Sequence, residues 1–282
     1  MDPVAGGAQA DVAEARAADM LPAMSAQPEA SPATELIEAA MAGREGGRRP
    51  FVLGICGAQG SGKSTIAALL AARMRARGKR VALLSLDDLY LSGAARQALA
   101  ETVHPLLRTR GVPGTHDPAL GVRLIEALGG NGRVALPRFD KAADEPCGPE
   151  SFQGPANIVI LEGWCVGARP QDEASLAEPV NALERERDPD GAWRGYVNAQ
   201  LADAYAALFA RIDFLAMLKA PGFDVVAKWR TEQERRAGGP MSDSEIRDFV
   251  AHYQRLTEHM IAHGDAWADL TVRLDADRGV IG

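Results

Sequence analysis

The sequence is poor in cysteine and in long apolar runs. Its three cysteines, Cys56, Cys147 and Cys165, form no C-x-x-C pair among 282 residues, which fits a reduced, cytoplasmic setting. No apolar run approaches the length of a membrane span, and the N-terminal residues lack the basic-then-apolar pattern of a secretory signal. We therefore expect a protein without a membrane anchor, in which Cys56 is a buried thiol.

Positive charge is also scarce. The chain has 31 Lys and Arg residues against 38 Asp and Glu residues, which leaves a formal net charge of -7. This balance argues against a general binder of nucleic acid or of anionic membranes. An anionic nucleotide would have to be held by local positive potential.

The first 32 residues have no aromatic side chain and are rich in Ala, Gly, Pro and Gln. A segment of this composition is predicted to be a flexible N-terminal tail. Hydrophobic residues make up 46% of the whole chain, which is enough for a large core. Residues 33–282 are therefore predicted to form a single domain.

One segment, G-A-Q-G-S-G-K-S-T at residues 57–65, carries a recognisable chemistry. It fits G-x-x-x-x-G-K-[ST], the phosphate-binding loop of proteins that use ATP or GTP. The apolar run over 51–56 predicts a buried strand before the loop, and helical spacing predicts a helix over 65–74 after it. Glycines let successive N–H groups point toward an anion, and the N-terminus of the following helix adds further donors.

The segment as a whole is predicted to bind the nucleotide. Lys63 would reach the β- and γ-phosphates, and the Ser64 hydroxyl would ligate Mg²⁺. The predicted nucleotide-binding residues are Gly57, Ala58, Gln59, Gly60, Ser61, Gly62, Lys63, Ser64 and Thr65.

Apolar strands alternate with helical segments along the rest of the chain. The predicted strands cover 80–86, 134–137, 157–161, 214–218 and 270–274, and the predicted helices cover 32–41, 94–102, 118–128, 196–209, 223–237 and 243–260. This order predicts an α/β fold with a mostly parallel sheet and helices on both faces, a three-layer sandwich. Ligands bind beyond the carboxyl ends of such strands, so Ser64, Asp87, Phe139 and Glu162 are expected on one rim.

Two strand ends carry acids. Asp87 and Asp88 follow the second strand, and a kinase needs a carboxylate near the acceptor hydroxyl to orient it and take its proton. Glu162 closes an apolar strand, where an acid would sit beside Mg²⁺ and its waters. The residues alone leave open that the aspartates merely face water and that Glu162 caps the next element.

A basic cluster lies near residue 230, where Lys228, Arg230, Arg235 and Arg236 are interspersed with two glutamates. Such a run is typical of a solvated, salt-bridged helix face. It would equally suit phosphoryl transfer, in which an arginine over the γ-phosphate offsets developing charge. Arg230 is the candidate for that role.

These segments together resemble the P-loop kinase family that contains uridine kinase, phosphoribulokinase and bacterial pantothenate kinase, and most closely D-glycerate 3-kinase and its bacterial relatives. The likeness covers most of residues 50–260. It is carried by 57–65 (G-A-Q-G-S-G-K-S-T), 85–91 (S-L-D-D-L-Y-L), 110–117 (R-G-V-P-G-T-H-D), 136–141 (L-P-R-F-D-K), 160–167 (I-L-E-G-W-C-V-G), 229–234 (W-R-T-E-Q-E) and 241–250 (M-S-D-S-E-I-R-D-F-V). The first segment occurs in many nucleotide enzymes, whereas R-G-V-P-G-T-H-D combined with L-E-G-W is much narrower.

The resemblance implies the P-loop NTPase fold and a role for each matching position. The first acid after the second strand, here Asp87, would position and deprotonate the acceptor hydroxyl. Ser64 and Glu162, together with Asp87, would hold Mg²⁺. Lys63 and Arg230 complete the predicted catalytic set.

The resemblance also implies an acceptor side. The segments around His116 and from Arg138 to Asp140 would face the acceptor. If the acceptor is glycerate, its carboxylate would suit Arg110 or Arg138, because arginine makes paired hydrogen bonds to carboxylates. His116 could instead cap the helix that begins near Asp117.

Two positions depart from the family pattern. Leu89 stands where phenylalanine is usual, a packing change that is expected to be mild. Glu145 stands where the family often has an arginine, five residues after Asp140, so this chain lacks that positive group.

The leading hypothesis is an ATP-dependent, Mg²⁺-requiring small-molecule kinase, monomeric or homodimeric, with D-glycerate as the favoured acceptor. A nucleoside, pantothenate or a sugar is the alternative acceptor. A regulatory P-loop ATPase without a small acceptor is the alternative of another class, and the long loop over 104–118 argues against it. A nucleic-acid-acting ATPase is disfavoured by the acidic balance and the lack of a basic–aromatic stripe.

Overall fold

The computed structural model describes residues 31–44, 50–236 and 241–281. The strands in these ranges are β1 (Phe51–Gly57), β2 (Val81–Ser85), β3 (Arg133–Asp140), β4 (Glu145–Gln153), β5 (Ile158–Gly163), β6 (Phe214–Lys219), β7 (Leu270–Leu274) and β8 (Val280–Ile281). The helices are α1 (Pro32–Met41), α2 (Lys63–Ala76), α3 (Gly93–Thr102), α4 (Pro118–Leu128), α5 (Ala182–Arg187), α6 (Ala192–Ala202), α7 (Ala204–Phe209), α8 (Phe223–Arg236), α9 (Asp243–Ala251) and α10 (Gln254–His263).

The predicted flexible tail, residues 1–32, lies outside the described residues except for its last two positions. Pro32 begins α1, a place that suits proline because the first helical N–H has no partner within the helix. The domain division at residue 33 stays a prediction. No helix in the described ranges combines the length and the apolar character that a membrane span requires.

The main sheet has six strands among the described residues, in the order β2-β5-β1-β6-β7-β8. All neighbouring pairs are parallel except β7 and β8, which are antiparallel. The prediction of a mostly parallel sheet is therefore confirmed. Because β1 lies between β5 and β6, the carboxyl ends of these strands meet beside the segment that leaves β1.

Alternating side chains of β1 divide the core into two parts. Phe51, Leu53 and Ile55 pack with α1, α2 and α8 on one face of the sheet. Val52 and Cys56 pack with α4, α7 and α10 on the other face, because successive strand residues point in opposite directions. This is the predicted three-layer sandwich. Cys56 is buried as expected, and burial raises the pKa of its thiol to about 12.

Two predicted helices are wrong in their extent. The helix predicted over 196–209 begins earlier and is broken at Asp203, whose backbone (φ -114°, ψ -94°) leaves the helical region between α6 and α7. The helix predicted over 243–260 is divided into α9 and α10 around Tyr253. The apolar spacing continues through both breaks, so periodicity alone could not reveal them.

The strand predicted over 134–137 is also wrong in its setting. It is the longer strand β3, which pairs antiparallel with β4 in a separate two-stranded hairpin. Phe139 therefore lies within a hairpin strand and does not follow a strand of the main sheet. β4 carries no sequence signal for a strand, because nearly all its residues are exposed and it contains Pro146 and Pro149.

Candidate active site

The segment between β1 and α2 forms a loop that is built to bind an anion. Gly60 (φ 76°) and Gly62 (φ 86°) adopt the left-handed conformation that glycine tolerates best. α2 begins at Lys63, and Gly62 provides no side-chain cap for its first N–H groups. Such an uncapped helix start is a ready anion site. Gln59 Oε1 and Ser61 Oγ are buried without a protein hydrogen-bond partner in the described structure, which fits a loop whose polar atoms serve a ligand.

Glu162 joins two serines at the carboxyl ends of the strands. The register of β2 and β5 places Ser85 opposite Glu162, and the Ser85 hydroxyl donates to Glu162 Oε1 at 2.7 Å. The Ser64 hydroxyl donates to Glu162 Oε2 at 3.2 Å. Two of the three predicted metal ligands, Ser64 and Glu162, are therefore in direct contact. Ser85 was given no role from the sequence, although it begins the segment S-L-D-D-L-Y-L; the strand register is what places it opposite Glu162.

The Ser64–Glu162 pair offers oxygen ligands of the kind that Mg²⁺ prefers. Within the described ranges, no three His, Cys, Asp or Glu side chains converge to form a metal site of their own. Mg²⁺ at nucleotide sites needs only one or two protein ligands, because phosphates and waters supply the rest. The residues therefore fit this ion when it is bound with a nucleotide.

Asp87 is held by two side chains at the start of the short helix Leu86–Leu89. Its Oδ1 accepts a hydrogen bond from the Tyr90 hydroxyl at 3.1 Å, and its Oδ2 accepts one from Lys141 Nζ at 2.6 Å. Burial raises the pKa of this carboxyl, but the charges of Lys141 and Lys63 outweigh burial and lower the pKa to about 2. Asp87 is therefore ionised at neutral pH, and Lys63 of the phosphate loop contributes to that state.

Asp88 has a different task from its neighbour. It accepts hydrogen bonds from Arg138 Nη1 at 2.9 Å and from the Phe139 N–H at 3.0 Å. Burial raises the pKa of Asp88, although Arg138 acts in the opposite direction. Asp88 thus fastens the β3–β4 hairpin beside Asp87, which separates the roles of the two acids in this pair.

The two arginines predicted for the acceptor are both paired with acids. Arg110 donates to Asp144 at the hairpin tip and lies over the Phe139 ring, 5.7 Å from its centroid. Arg138 donates to Glu150 at 2.5 Å as well as to Asp88. The hairpin does bring these residues to the Asp87 side of the fold. Their binding of an acceptor stays a prediction.

Asp140 and Glu145 shape the ends of the hairpin turn. Asp140 Oδ1 accepts hydrogen bonds from the N–H groups of Ala142 and Ala143, at 2.9 and 3.1 Å. Glu145 Oε1 accepts one from Gly93 N at 3.0 Å, at the first residue of α3. The residue that stands in place of the family's arginine therefore anchors the hairpin to α3.

His116 is buried between two tyrosines. Its ring stacks on Tyr90 with centroids 4.2 Å apart, and its Nδ1 lies 2.6 Å from the Tyr205 hydroxyl oxygen. That oxygen takes backbone hydrogen bonds from Gly114, at 3.0 Å, and from His116 itself. Because these two bonds fill its acceptor positions, the hydroxyl hydrogen is left for His116 Nδ1, which favours the tautomer with the proton on Nε2. His116 Nε2 is buried without a hydrogen-bond partner in the described structure. Burial lowers the pKa of His116 to about 3, which keeps the ring neutral.

The alternative role of His116 as a helix cap is wrong. Asp117 caps α4 instead, since its Oδ1 accepts a hydrogen bond from Leu120 N at 2.8 Å. This agrees with the predicted helix start after Asp117. His116 is therefore available for another purpose.

Arg230 lies on α8, on the side that faces α9. Its guanidinium pairs with Glu234 at 2.7 Å and lies over the Phe249 ring, 5.3 Å from the centroid. Its charge also lowers the pKa of Tyr253, although burial dominates and raises that pKa overall. Phe249 also packs against Tyr253, with ring centroids 5.0 Å apart, and the Tyr253 hydroxyl donates to the Arg110 carbonyl, so two aromatic residues lie between Arg230 and Arg110. Its catalytic role stays a prediction.

Sequence reasoning missed Lys141, Tyr90 and Tyr253. Lys141 and Tyr90 were part of the segments L-P-R-F-D-K and S-L-D-D-L-Y-L, and these segments were the available signal. Tyr253 had none, because it lies at the break between α9 and α10 inside a continuous helical pattern.

Known proteins are similar to this chain over much of its length. A family model described as Methylmalonyl Co-A mutase-associated GTPase MeaB matches residues 15–94, less than half of the chain. The uncharacterized kinase mug58 of Schizosaccharomyces pombe is 36% identical over 221 residues, which cover 73% of this chain and 79% of that kinase. The chloroplastic D-glycerate 3-kinase of Arabidopsis thaliana is 30% identical over 260 residues, 82% of this chain and 54% of that enzyme.

A solved structure is similar over nearly the whole fold. The D-glycerate 3-kinase from Cryptococcus neoformans var. grubii is 26% identical, with a TM-score of 0.71 over 89% of this chain and 96% of that one. The chain belongs to the P-loop kinase family that includes D-glycerate 3-kinase. It is an ATP-dependent phosphotransferase that acts on an alcohol group.

Proposed function

We propose that this kinase phosphorylates D-glycerate. The observation that carries the proposal is the ionised Asp87 carboxylate, which lies within the field of Lys63 and beside the cation-bearing β3–β4 hairpin. A P-loop kinase needs a carboxylate at the acceptor hydroxyl. An acidic acceptor of small size suits a wall that carries Arg110, Arg138 and Lys141. The relatives that bear the name D-glycerate 3-kinase support the same acceptor.

The nucleotide side would be served by the loop and its neighbours. The loop residues 57–65 would bind the phosphates of ATP, with Lys63 supplying a full positive charge. Ser64 and Glu162, with Asp87 across the site, would hold Mg²⁺. When bound, this ion would neutralise charge that develops on the transferred phosphoryl group.

Asp87 would orient the acceptor hydroxyl and receive its proton. With a pKa of about 2, Asp87 is a weak base. Phosphoryl transfer passes through a loose transition state and depends on positioning more than on base strength. Tyr90 and Lys141 each occupy one lone pair of the carboxylate, and other lone pairs stay available for the hydroxyl. The two contacts would thus fix the direction in which Asp87 accepts.

His116 would add a neutral donor on the acceptor side. Its Nε2–H is buried, and its proton is placed by the contact of Nδ1 with Tyr205. A neutral donor can bind a carboxylate or hydroxyl oxygen without adding charge beside Asp87. The stacking of His116 on Tyr90, which itself binds Asp87, supports this role.

The acceptor can be tested by coupled measurement of ADP release with Mg²⁺ and ATP. A panel of D-glycerate, L-glycerate, other hydroxy acids, a nucleoside, pantothenate and a sugar would be compared. We expect D-glycerate to stimulate turnover most strongly. Stimulation by a nucleoside or pantothenate alone would overturn the acceptor but keep the kinase. Slow hydrolysis that no small alcohol changes would favour a regulatory ATPase.

The roles of Asp87 and Lys63 can be separated by two variants. Asp87→Asn should lower kcat by about 10²–10⁴-fold, the range for loss of a proton-transfer group, while the Kd for ATP changes little. Lys63→Ala should weaken ATP binding and abolish turnover. Asp203→Asn makes the same change at an exposed position and should leave both constants unchanged. Near-normal turnover by Asp87→Asn would disprove the assignment of the base.

A further inference from the structure

The turn between β7 and β8 reaches the phosphate loop from the far end of the chain. Asp275 organises the turn, since its Oδ1 accepts hydrogen bonds from Asp277 N at 2.8 Å and from Gly279 N at 2.7 Å. Within it, Arg278 adopts the left-handed conformation with φ 71°. That conformation is uncommon for a residue with a side chain, so the turn holds Arg278 in an orientation that the surrounding contacts must stabilise.

Arg278 makes three contacts that converge on the loop and on α8. Its Nε donates to the carbonyl oxygen of Gly60 at 2.6 Å, and its Nη2 donates to Glu232 Oε2 at 2.8 Å. Its guanidinium also lies over the Trp229 ring, 5.1 Å from the centroid. One side chain therefore joins the phosphate loop, a glutamate of α8 and the tryptophan next to Arg230.

Gly60 of the phosphate loop and Trp229 of α8 are in close contact beside Arg278. A Cβ on Gly60 would lie 2.6 Å from Trp229 Cβ and 2.9 Å from its carbonyl carbon. Trp229 is fully buried, and its Nε1 donates to the Ala276 carbonyl of the turn at 2.8 Å. The turn accepts a hydrogen bond from Trp229 on α8 and donates one to Gly60 in the loop. These two bonds hold α8 and the phosphate loop close together.

We propose that Arg278 is a positioning residue for ATP binding, which fixes the Gly60–Ser61 peptide of the phosphate loop and ties it to α8. A peptide that follows a glycine rotates easily, and its rotation would change which polar atoms face the phosphates. The N–H of this peptide donates to the Ala58 carbonyl at 3.1 Å, and the hydrogen bond from Arg278 holds its carbonyl side, so the peptide is fixed at both ends. The role is one of position and not of added charge, because Arg278 is paired with Glu232. Its hydrogen bond is the main cause of the lowered pKa of Glu232.

The inference rests on ATP binding by the loop and not on the identity of the acceptor, so it can be tested with the nucleotide alone. The measurement is titration of the full chain with a non-hydrolysable ATP analogue and Mg²⁺ by calorimetry, together with the melting temperature and the KM values for ATP and acceptor. Arg278→Ala should raise the Kd for the analogue and the KM for ATP about tenfold, the loss expected for a charge-assisted hydrogen bond. The KM for the acceptor should change less than about twofold, because the acceptor side does not touch Arg278.

Two further variants separate positioning from general stability. Arg278→Lys can keep one hydrogen bond to Gly60 and should restore part of the affinity, whereas a role in shape alone would give no such rescue. Arg273→Ala, on β7 with an exposed pair to Asp265, is the matched control and should bind the analogue normally. The inference is overturned if Arg278→Ala binds the analogue normally, or if it raises both KM values equally and Arg278→Lys does the same. If Arg278→Ala fails to fold, Arg278→Met decides, because it keeps most of the side-chain bulk but cannot donate to Gly60, and a normal Kd for the analogue in that variant contradicts the role in ATP binding.

Discussion

At the residue scale, the acceptor side of the site is a set of cations that are each matched with an acid. Lys141 pairs with Asp87, and Arg138 pairs with Asp88 and Glu150. Arg110 pairs with Asp144 in the same way. An anionic acceptor must therefore compete with these carboxylates or bind to N–H groups that the carboxylates do not occupy. A guanidinium has five N–H groups in total, so a paired arginine can still offer some of them. Selectivity for a small acid would arise from the spacing of these donors and not from net positive charge.

The pairing of Lys141 with Asp87 predicts a pH effect. In its proposed role Asp87 acts in the ionised form, so activity that depends on it should be lost as the pH falls through its pKa, here about 2. Lys141→Met removes the largest charge that lowers this pKa, so the pKa must rise and the acid limb of kcat/KM must move to higher pH. The check is kcat/KM measured from the lowest pH at which both proteins stay folded up to about pH 8, because the acid limb of the parent lies near its pKa of about 2. Lys79→Met, at an exposed position, should keep the parent profile. Identical acid limbs in the parent and Lys141→Met would contradict the electrostatic assignment.

The two left-handed glycines of the phosphate loop predict different costs for the same substitution. In Gly62→Ala the added Cβ meets open space, so the only penalty comes from the φ of 86°. This penalty should lower the free energy of unfolding by about 1–2 kcal/mol. Gly60→Ala adds the collision with Trp229 to a φ of 76°, so it should lower the free energy of unfolding further and weaken ATP binding more. Urea unfolding and ATP titration provide the measurement.

Gly195→Ala is the control for these two variants. Gly195 lies inside α6, and a Cβ there also meets open space. Without a positive φ, this change should stabilise the helix by about 0.5–1 kcal/mol. Equal losses of unfolding free energy in Gly60→Ala and Gly62→Ala would mean that Trp229 is not the constraint.

At the element scale, the β3–β4 hairpin carries several of the residues that are proposed to face the acceptor. Asp88 fastens the end of β3 that leads into the turn, and Asp144 fastens the turn itself, where the buried Arg96 and the partly exposed Arg110 both contact it. Asp144 has a φ of 57°, a conformation that Asp and Asn tolerate better than most residues. Charges therefore hold the turn end of the hairpin, whereas Val134 and Leu136 of β3 pack in the core.

Removal of the charge at Asp144 should loosen the hairpin tip. Asp144→Asn keeps the tolerance for positive φ but leaves Arg96 with weaker bonds, so the free energy of unfolding should fall by about 1–3 kcal/mol. The KM for the acceptor should rise, while the Kd for ATP should not change because the phosphate loop lies on other elements. Glu101→Gln, an exposed site on α3, is the control. A larger change in ATP affinity than in acceptor KM would contradict the division of the site between loop and hairpin.

Local elements were predictable from the sequence and remote contacts were not. β1, the glycine loop and α2 are contiguous, and their apolar spacing and glycines determine them together. The hairpin was missed because β4 is exposed, so no alternation of apolar residues shows its pairing. The contact of Lys141 with Asp87 spans 54 positions and that of Arg278 with Gly60 spans 218. Neither contact has a local pattern, since each depends on where distant elements meet.

At the scale of the whole molecule, the net charge of -7 bears on the proposed binding of ATP and of an acidic acceptor. The overall field would repel both anions. We therefore expect binding to depend on cations and N–H groups concentrated at the sheet edge, where Lys63 and the start of α2 are the groups proposed for ATP. These groups come together only in the folded chain. A ligand that binds them should therefore raise the free energy of unfolding.

The coupling predicts how far ATP should stabilise the molecule. Mg²⁺ and ATP at about 100 times the Kd should add about 2.7 kcal/mol to the free energy of unfolding, which corresponds to a rise in melting temperature of about 5–10 °C for a domain of this size. Lys63→Ala should lose most of the rise because it removes the main positive charge from the loop, whereas the exposed variant Asp203→Asn should keep it. Thermal unfolding followed by fluorescence, with and without the ligands, measures both. An unchanged rise in Lys63→Ala would show that ATP binds elsewhere or without the help of this lysine.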